Sequence, residues 1–242
     1  MSIPQVNPRY VIDIGMNNGD DTKYYLAKGF IVLSIEANPG LCEAAREKFS
    51  LSMREGRLTI LNVAIAENNL EQTFYINLNN DHWSSLDLKW ASRENTNVKK
   101  IHIPGMRLDR YLNESQISPH FIKIDIEGGD MMALKQVLRT EFRPQYLSIE
   151  DCHLGFEYIK VLTQHGYNKF KLINQAQVPF HKDNDLNFSF ELGSSGLFGE
   201  DTLGDWMTSN DFVDYYFKIA RNPTTLVRIA RPDIWWDIHC SL

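Results

Sequence analysis

Three stretches of this 242-residue chain place reactive residue types at spacings suited to a nucleoside-like ligand. The first is VIDIGMNNGDD at 11–21, where an apolar run meets Asp13, Gly15 and Gly19 and then opens a helix. A glycine-bearing strand-to-helix turn lets a ligand approach the backbone closely. Its glycines follow G-x-x-x-G, not the G-x-G-x-x-G that accommodates a pyrophosphate. Asp20 and Asp21 stand at the positive end of the coming helix dipole, where they would repel a phosphate. A phosphate-free cofactor carrying a sulfonium and an ammonium group, S-adenosylmethionine, fits this turn better than a dinucleotide does.

The second stretch, FIVLSIEANP, ends near Glu36, which follows Asp13 by 23 positions (36 − 13). A carboxylate at that place in a doubly wound fold accepts hydrogen bonds from both ribose hydroxyls. The third, FIKIDIEGGD at 121–130, closes a buried strand with Asp125 and Glu127. Both acids are expected to face the cleft beyond the strand ends, with Asp130 capping the next helix and leaving Asp125 to the ligand. The candidate cofactor contacts are Asp13, Gly15, Met16, Asn17, Gly19, Glu36, Ala37, Asn38, Ala64, Ser85 and Asp125. Residues 62–66 are expected to flank the adenine. Trp83, Ser84 and Ser85 in the loop NDHWSSL are expected to overhang the cofactor or substrate, although Trp83 is equally readable as a core anchor.

An acceptor that attacks a sulfonium methyl group needs a base or a metal wherever it is a poor nucleophile at neutral pH. His153, three residues past the run YLSIE, is the first candidate base, oriented by Asp125 or Asp151. The alternative is a divalent cation held by Asp125, Glu150 and Asp151. Glu150 and Asp151 alternate faces if their strand persists, which weakens a site that uses both.

These groups must be positioned by a regular scaffold, and the chain between 9 and 66 supplies one. YVIDIG, DTKYYLAKG, FIVLSIEA, GLCEAAREKF and LTILNVAIA alternate strand with helix, the βαβαβ pattern of a parallel, doubly wound sheet. Asp20 and Asp21 are expected to cap the first helix and Gly29 to stop it. Residues 67–119 read as an insertion with two extended runs, an edge hairpin, and a short helix at LDRYLNE. The alternation resumes with FIKIDIEG, MMALKQVLRT, QYLSIED, LGFEYIKVLTQHG and YNKFKLIN. Residues 175–230 loosen into a lid over the substrate, with a short helix at 209–220, before WWDIHC closes the sheet as a last strand.

One domain over 1–242 is the expectation for this length. No apolar run nears the ~20 residues of a membrane span, and the mean hydropathy is −0.34. The opening MSIPQVNPRY lacks the basic and apolar parts of a secretion signal, which predicts a cytoplasmic protein. Cys42, Cys152 and Cys240 are odd in number, form no Cys-x-x-Cys pair and read as buried thiols. A net charge of −6 with no basic run beyond Lys99-Lys100 argues against a nucleic-acid partner. The expected partner is a small-molecule or glycan acceptor; the sequence carries no signal of oligomeric state.

The set VIDIGMNNGD, IEANP, FIKIDIEGGD, YLSIED, SSGLFGED and WWDIHC resembles the FkbM-type methyltransferases over nearly the whole chain. The Lys-x-Asp-x-Glu-Gly segment is its most specific part. The sequence departs from the usual pattern at Asn17-Asn18, where a small residue is common, and at Gly129-Asp130, where Ala-Glu is more usual. The resemblance implies a class I S-adenosylmethionine fold, α/β and Rossmann-like, mostly parallel with a C-terminal antiparallel strand. It also implies O-methylation of a glycan, lipid or secondary metabolite. The competing readings are a non-catalytic S-adenosylmethionine-binding module and a nicotinamide-dependent oxidoreductase.

Overall fold

The apolar runs at the start of the chain form strands wherever a continuous buried sheet can take them. The computed structural model describes residues 10–229, 231 and 233–242. Its elements gather into two compact units that divide between Pro144 and Gln145.

The first unit begins with β1 (Tyr10–Ile14), α1 (Asp20–Ala27), β2 (Ile31–Glu36), α2 (Pro39–Lys48), α3 (Ser50–Arg54) and β3 (Leu58–Asn62). It continues through β4 (Ala64–Ile65), β5 (Glu71–Asn77), α4 (Leu88–Ala91), β6 (Val98–Met106), α5 (Leu108–Ser115), β7 (Phe121–Ile124) and α6 (Asp130–Arg139). β1 pairs in parallel with β2 on one side and β7 on the other, and β2 pairs in parallel with β3. The strand order therefore reverses between β1 and β7. In open α/β sheets that reversal opens a crevice beyond the carboxyl ends of the two strands. All of β7 is buried, as is β1 after Tyr10, because strands apolar on both faces must be covered on both.

The run 58–66, expected to be one strand, divides at Val63. Its first half ends with the pair Glu36↔Asn62, and its second half leaves the sheet as β4 to pair with β6. The reason is local: the Asn62 amide donates to the carbonyls of Glu36 and Ala37 (3.0 and 3.1 Å) and closes off the strand ends. The predicted hairpin is present as β5 and β6, which pair antiparallel. With β4 it makes a separate small sheet whose core is Ala64, Phe74 and Ile103, with Ala37 packed against it.

The second unit holds β8 (Tyr146–Glu150), α7 (Gly155–Gln164), β9 (Lys169–Asn174), β10 (Lys182–Asp183), β11 (Phe188–Ser189), β12 (Met207–Thr208), α8 (Ser209–Ile219) and β13 (Trp236–Ser241). β13 lies antiparallel between β8 and β9, as expected of a closing strand. The segment read as a lid is mostly packed structure. Val178, Phe190, Leu197, Phe198, Phe212 and Tyr216 are buried, and β12 adds to the edge of β9. Of its aromatic residues Phe190, Phe198, Phe212 and Tyr216 are core anchors, while Phe180 is exposed. Cys42 and Cys240 are buried free thiols, whereas Cys152 is only partly covered. Among the described residues no helix is long and apolar enough to cross a membrane.

Candidate functional site

The turn after β1 is a closed hydrogen-bonded unit. Gly15 and Met16 donate their amides to Ile35 O (3.0 and 3.1 Å), and Gly19 donates to Met16 O (3.0 Å). Asn17 N donates to Glu36 Oε2 (2.9 Å), Asn18 N to Asn17 Oδ1 (2.7 Å) and Asp20 N to Asn18 Oδ1 (3.0 Å). Every amide from 15 to 20 is engaged within the protein, so the turn offers no nest of donors to a pyrophosphate. This adds a second ground for phosphate exclusion to the two acids in the first turn of α1, of which neither is the cap. Gly19, not an aspartate, occupies the N-cap position of α1. Asp20 pairs with Lys48 at 3.2 Å, and Asp21 is buried beside Lys123 at 3.4 Å. Gly19 is also required sterically, since a Cβ there would come within 2.7 Å of the Phe49 ring.

Beneath the turn lies a charge cluster that the sequence reading did not assign. Lys123 on β7 is 4% exposed; its Nζ donates to Gly15 O (3.1 Å) and lies 3.7 Å from Asp13, 3.4 Å from Asp21 and 3.4 Å from Asp125. Asp13 is fully buried and accepts a 2.6 Å bond from the Thr22 hydroxyl, which also shares a 2.7 Å bond with Ser34. Burial, partly offset by Lys123, pushes the Asp13 carboxyl up to about 6. Asp13 therefore supports the turn from below, while Asp125, with 32% of its side chain exposed, is the member of the cluster open to a ligand. A signal was available: a lysine inside FIKID is rarely buried unless paired.

Glu36 ends β2 with both oxygens facing backbone donors, Oε2 toward Asn17 N and Oε1 toward Asn38 N (2.7 Å). Burial raises its pKa against those hydrogen bonds. With Ala37 as a third backbone donor, the carboxylate still keeps acceptor capacity for a hydroxyl. Asn38 has a second task as N-cap of α2, accepting from Gly40 N at 3.0 Å ahead of Pro39. The Asn-Pro pair is a start signal that places the helix one residue earlier than the sequence reading did. Met16 and Ala64 are buried. Ser85 is buried too, and its hydroxyl donates to Glu127 O (2.7 Å), tying the 80s loop to the loop after β7.

Glu127 does not open into the crevice as expected. Its carboxylate accepts from Trp90 Nε1 (2.6 Å) and from Arg93 (2.9 Å), and the Arg93 guanidinium lies over the rings of Trp83 and Trp90. Trp83 is thus a stacking anchor for Arg93. Asp130, the first residue of α6, accepts from Ile126 N and Gly128 N (both 2.8 Å) and fixes this loop; Gly129 is the N-cap. Burial, reinforced by Asp125, raises Glu127 to about 7 from an ordinary 4.5. A carboxyl raised in the folded state stabilises the fold while protonated, so its contribution is full below the unfolded value and lost as pH rises through the folded one. Melting temperatures followed between about pH 4.5 and 7 should therefore fall less steeply in Glu127→Gln than in the parent. An unchanged slope would remove Glu127 as the titrating group.

In the second unit the expected catalytic set is arranged differently. Both oxygens of Asp151 face Arg221 Nε (3.1 and 3.0 Å), and Oδ1 also accepts from the Tyr216 hydroxyl (3.0 Å). Arg221 further donates to the carbonyls of Asp151 and Cys152. Asp151 is thereby committed to a buried structural pair, and neither the orienting role toward His153 nor the cation site with Asp125 and Glu150 is what its side chain serves. His153 is exposed just beyond β8, and Glu150 is half-buried at the strand end.

The sequence matches the family model described as the Methyltransferase FkbM domain over residues 13–174. No curated protein matches it. Solved structures similar to this chain include methyltransferase FkbM from Methylobacillus flagellatus KT, at 17% identity and a TM-score of 0.46. That match covers 70% of this chain and 40% of the other, so this chain spans well under half of that protein's length. An O-methyltransferase from Bacillus cereus in complex with SAH is 12% identical, with a TM-score of 0.41 and coverage of 69% and 67%. Precorrin-6y C5,15-methyltransferase from Geobacter metallireducens GS-15 is 9% identical, with a TM-score of 0.43 and coverage of 99% and 83%.

Proposed function

Because this chain belongs to the FkbM methyltransferase family, with that family's α/β class I fold, we propose that it transfers a methyl group from S-adenosylmethionine to a hydroxyl of a glycan, lipid or secondary metabolite. The observation that carries the reading is the turn at 15–20, whose amides are all engaged internally, beside a Glu36 carboxylate that retains acceptor capacity. A dinucleotide would need donors for its pyrophosphate, and the same turn withholds them. The nicotinamide reading is disfavoured on that ground.

When bound, S-adenosylmethionine supplies an electrophilic methyl group on a sulfonium. Glu36 accepts the ribose hydroxyls, and the half-buried Asp125 meets the cationic amino end, its own position set by Lys123. The turn residues Gly15 to Asn17 would line the cofactor's side of the crevice after β1. Orientation of this kind can contribute up to ~7 to 11 kcal/mol to a displacement.

The reading is tested by incubating the protein with labelled S-adenosylmethionine and hydroxyl-bearing acceptors. Release of the demethylated product above background supports an enzyme; its absence despite cofactor binding would leave a binding module. Glu36→Ala is expected to weaken cofactor affinity on the order of 10- to 100-fold by calorimetry, the worth of hydrogen bonds to a charged group. Tight NAD binding with none for S-adenosylmethionine would overturn the proposal.

A further inference from the structure

The family match ends at residue 174, and beyond it lies a surface feature outside the residues assigned above. Ala220–Ile229 is a short hairpin: Ile229 N donates to Ala220 O (2.9 Å), Asn222 N to Val227 O (2.9 Å) and Leu226 N to Asn222 O (2.8 Å). Arg221 and Arg228 face each other as a bridge. The Asn222 side chain holds the bend by accepting from Thr224 N and Thr225 N (2.9 and 3.0 Å). The base is stapled by the buried Arg221–Asp151 pair.

What this anchored hairpin presents is apolar and basic. Residues 222–229 are all exposed, with Val227 at 63%, Ile229 at 50% and Leu226 at 39%. Between Asp214 and Asp233 the sequence has no acid and four cations, Lys218, Arg221, Arg228 and Arg231. Of these, Arg221 is committed to Asp151 and Arg231 pairs with Asp233. Lys218 and Arg228 have no carboxylate within salt-bridge range among the described residues, and Arg228 also braces the hairpin through Ile234 O. The chain carries −6 overall, so without those four charges the remainder carries −10.

We propose that the 220–229 hairpin docks the protein on an anionic lipid surface, with Leu226, Val227 and Ile229 entering the interface and Arg228 and Lys218 meeting the headgroups. Exposed aliphatic side chains interleaved with cations suit a bilayer interface. Protein hot spots favour Trp and Tyr, and residues 220–229 carry no aromatic residue. The net-acidic remainder is repelled by an anionic surface, whereas the basic hairpin is attracted to it. The protein would lie on the membrane without spanning it.

The test is co-sedimentation of the full chain with vesicles of phosphatidylcholine alone and of phosphatidylcholine mixed with phosphatidylglycerol. Binding to the mixed vesicles only, weakened by salt, is expected. Arg228→Gln should lower partitioning about fivefold, the worth of one basic residue near such a surface. The pair Val227→Asp and Ile229→Asp should abolish it while the melting temperature is kept, since both positions are exposed. Absence of binding to mixed vesicles at low salt, or binding unchanged in the double variant, would overturn the proposal. So would a self-association, seen by size exclusion, that the double variant dissolves without any vesicle binding, which would make the hairpin a protein contact. If the double variant does not fold, the Arg228→Gln result decides. None of these readouts depends on the methyl-transfer reading.

Discussion

Gly15→Ala is expected to abolish cofactor binding and to destabilise the protein more than any other single methyl addition along the β1 turn. Gly15 holds a φ of +87°, and a Cβ built there would lie 1.7 Å from the backbone oxygen of Asp125 and 2.8 Å from its carbonyl carbon. Backbone cannot swing aside as a flexible side chain can. Relief requires β1 and the loop after β7 to separate, at the point where Lys123 links them through Gly15 O. Left-handed strain and overpacking together cost about 2 to 6 kcal/mol. Gly29→Ala is the control: its φ is also +87°, but nothing lies within 4 Å of the added carbon. That variant should lose only the conformational part, about 1 to 3 kcal/mol, and should still bind. Thermal melting with calorimetric titration of S-adenosylmethionine separates the two. Equal effects from both alanines would mean that the close approach at Gly15 does not govern the site.

The second large effect is expected at Asp151. Its side chain is 2% exposed and that of Arg221 9%, so removing the acid leaves a buried guanidinium without its counter-charge, at about 3 to 5 kcal/mol. Asp151→Ala should lower the melting temperature by on the order of 10 °C. Replacing both partners, as Asp151→Ala with Arg221→Met, should recover most of that loss, because an apolar pair in place of a buried ion pair is often close to neutral. Turnover per folded molecule should return as well. A double variant that is stable but inactive would give Asp151 a part in the chemistry that its hydrogen bonds do not indicate.

The contrast between Gly15 and Asp151 shows which properties were legible in the residues alone. The turn at 15–19, the acid at 36 and the strand into Asp125 were readable because each depends on a local pattern: glycine next to a strand end, an acid at a strand terminus, an apolar run. The short helix expected at 209–220 is present as α8, and the closing strand as β13. Where local patterning misled, a particular partner had intervened. Asn62 divided the run 58–66 by bonding to the end of β2, and Gly19 displaced the aspartates from the cap of α1 because the turn needed a left-handed residue there.

By itself, then, the sequence determined the α/β class, the family, the turn after β1 and the place of Glu36 at the end of β2. Only the tertiary structure decided which charges meet. Lys123 reaches a carbonyl 108 positions away, Asp151 an arginine 70 away and Glu127 an indole 37 away. Spacing along a chain encodes the period of a helix or strand, whereas the pairing of buried charges is set by which ends the sheet brings together, and by the energetic need of each buried ion to find a counter-charge.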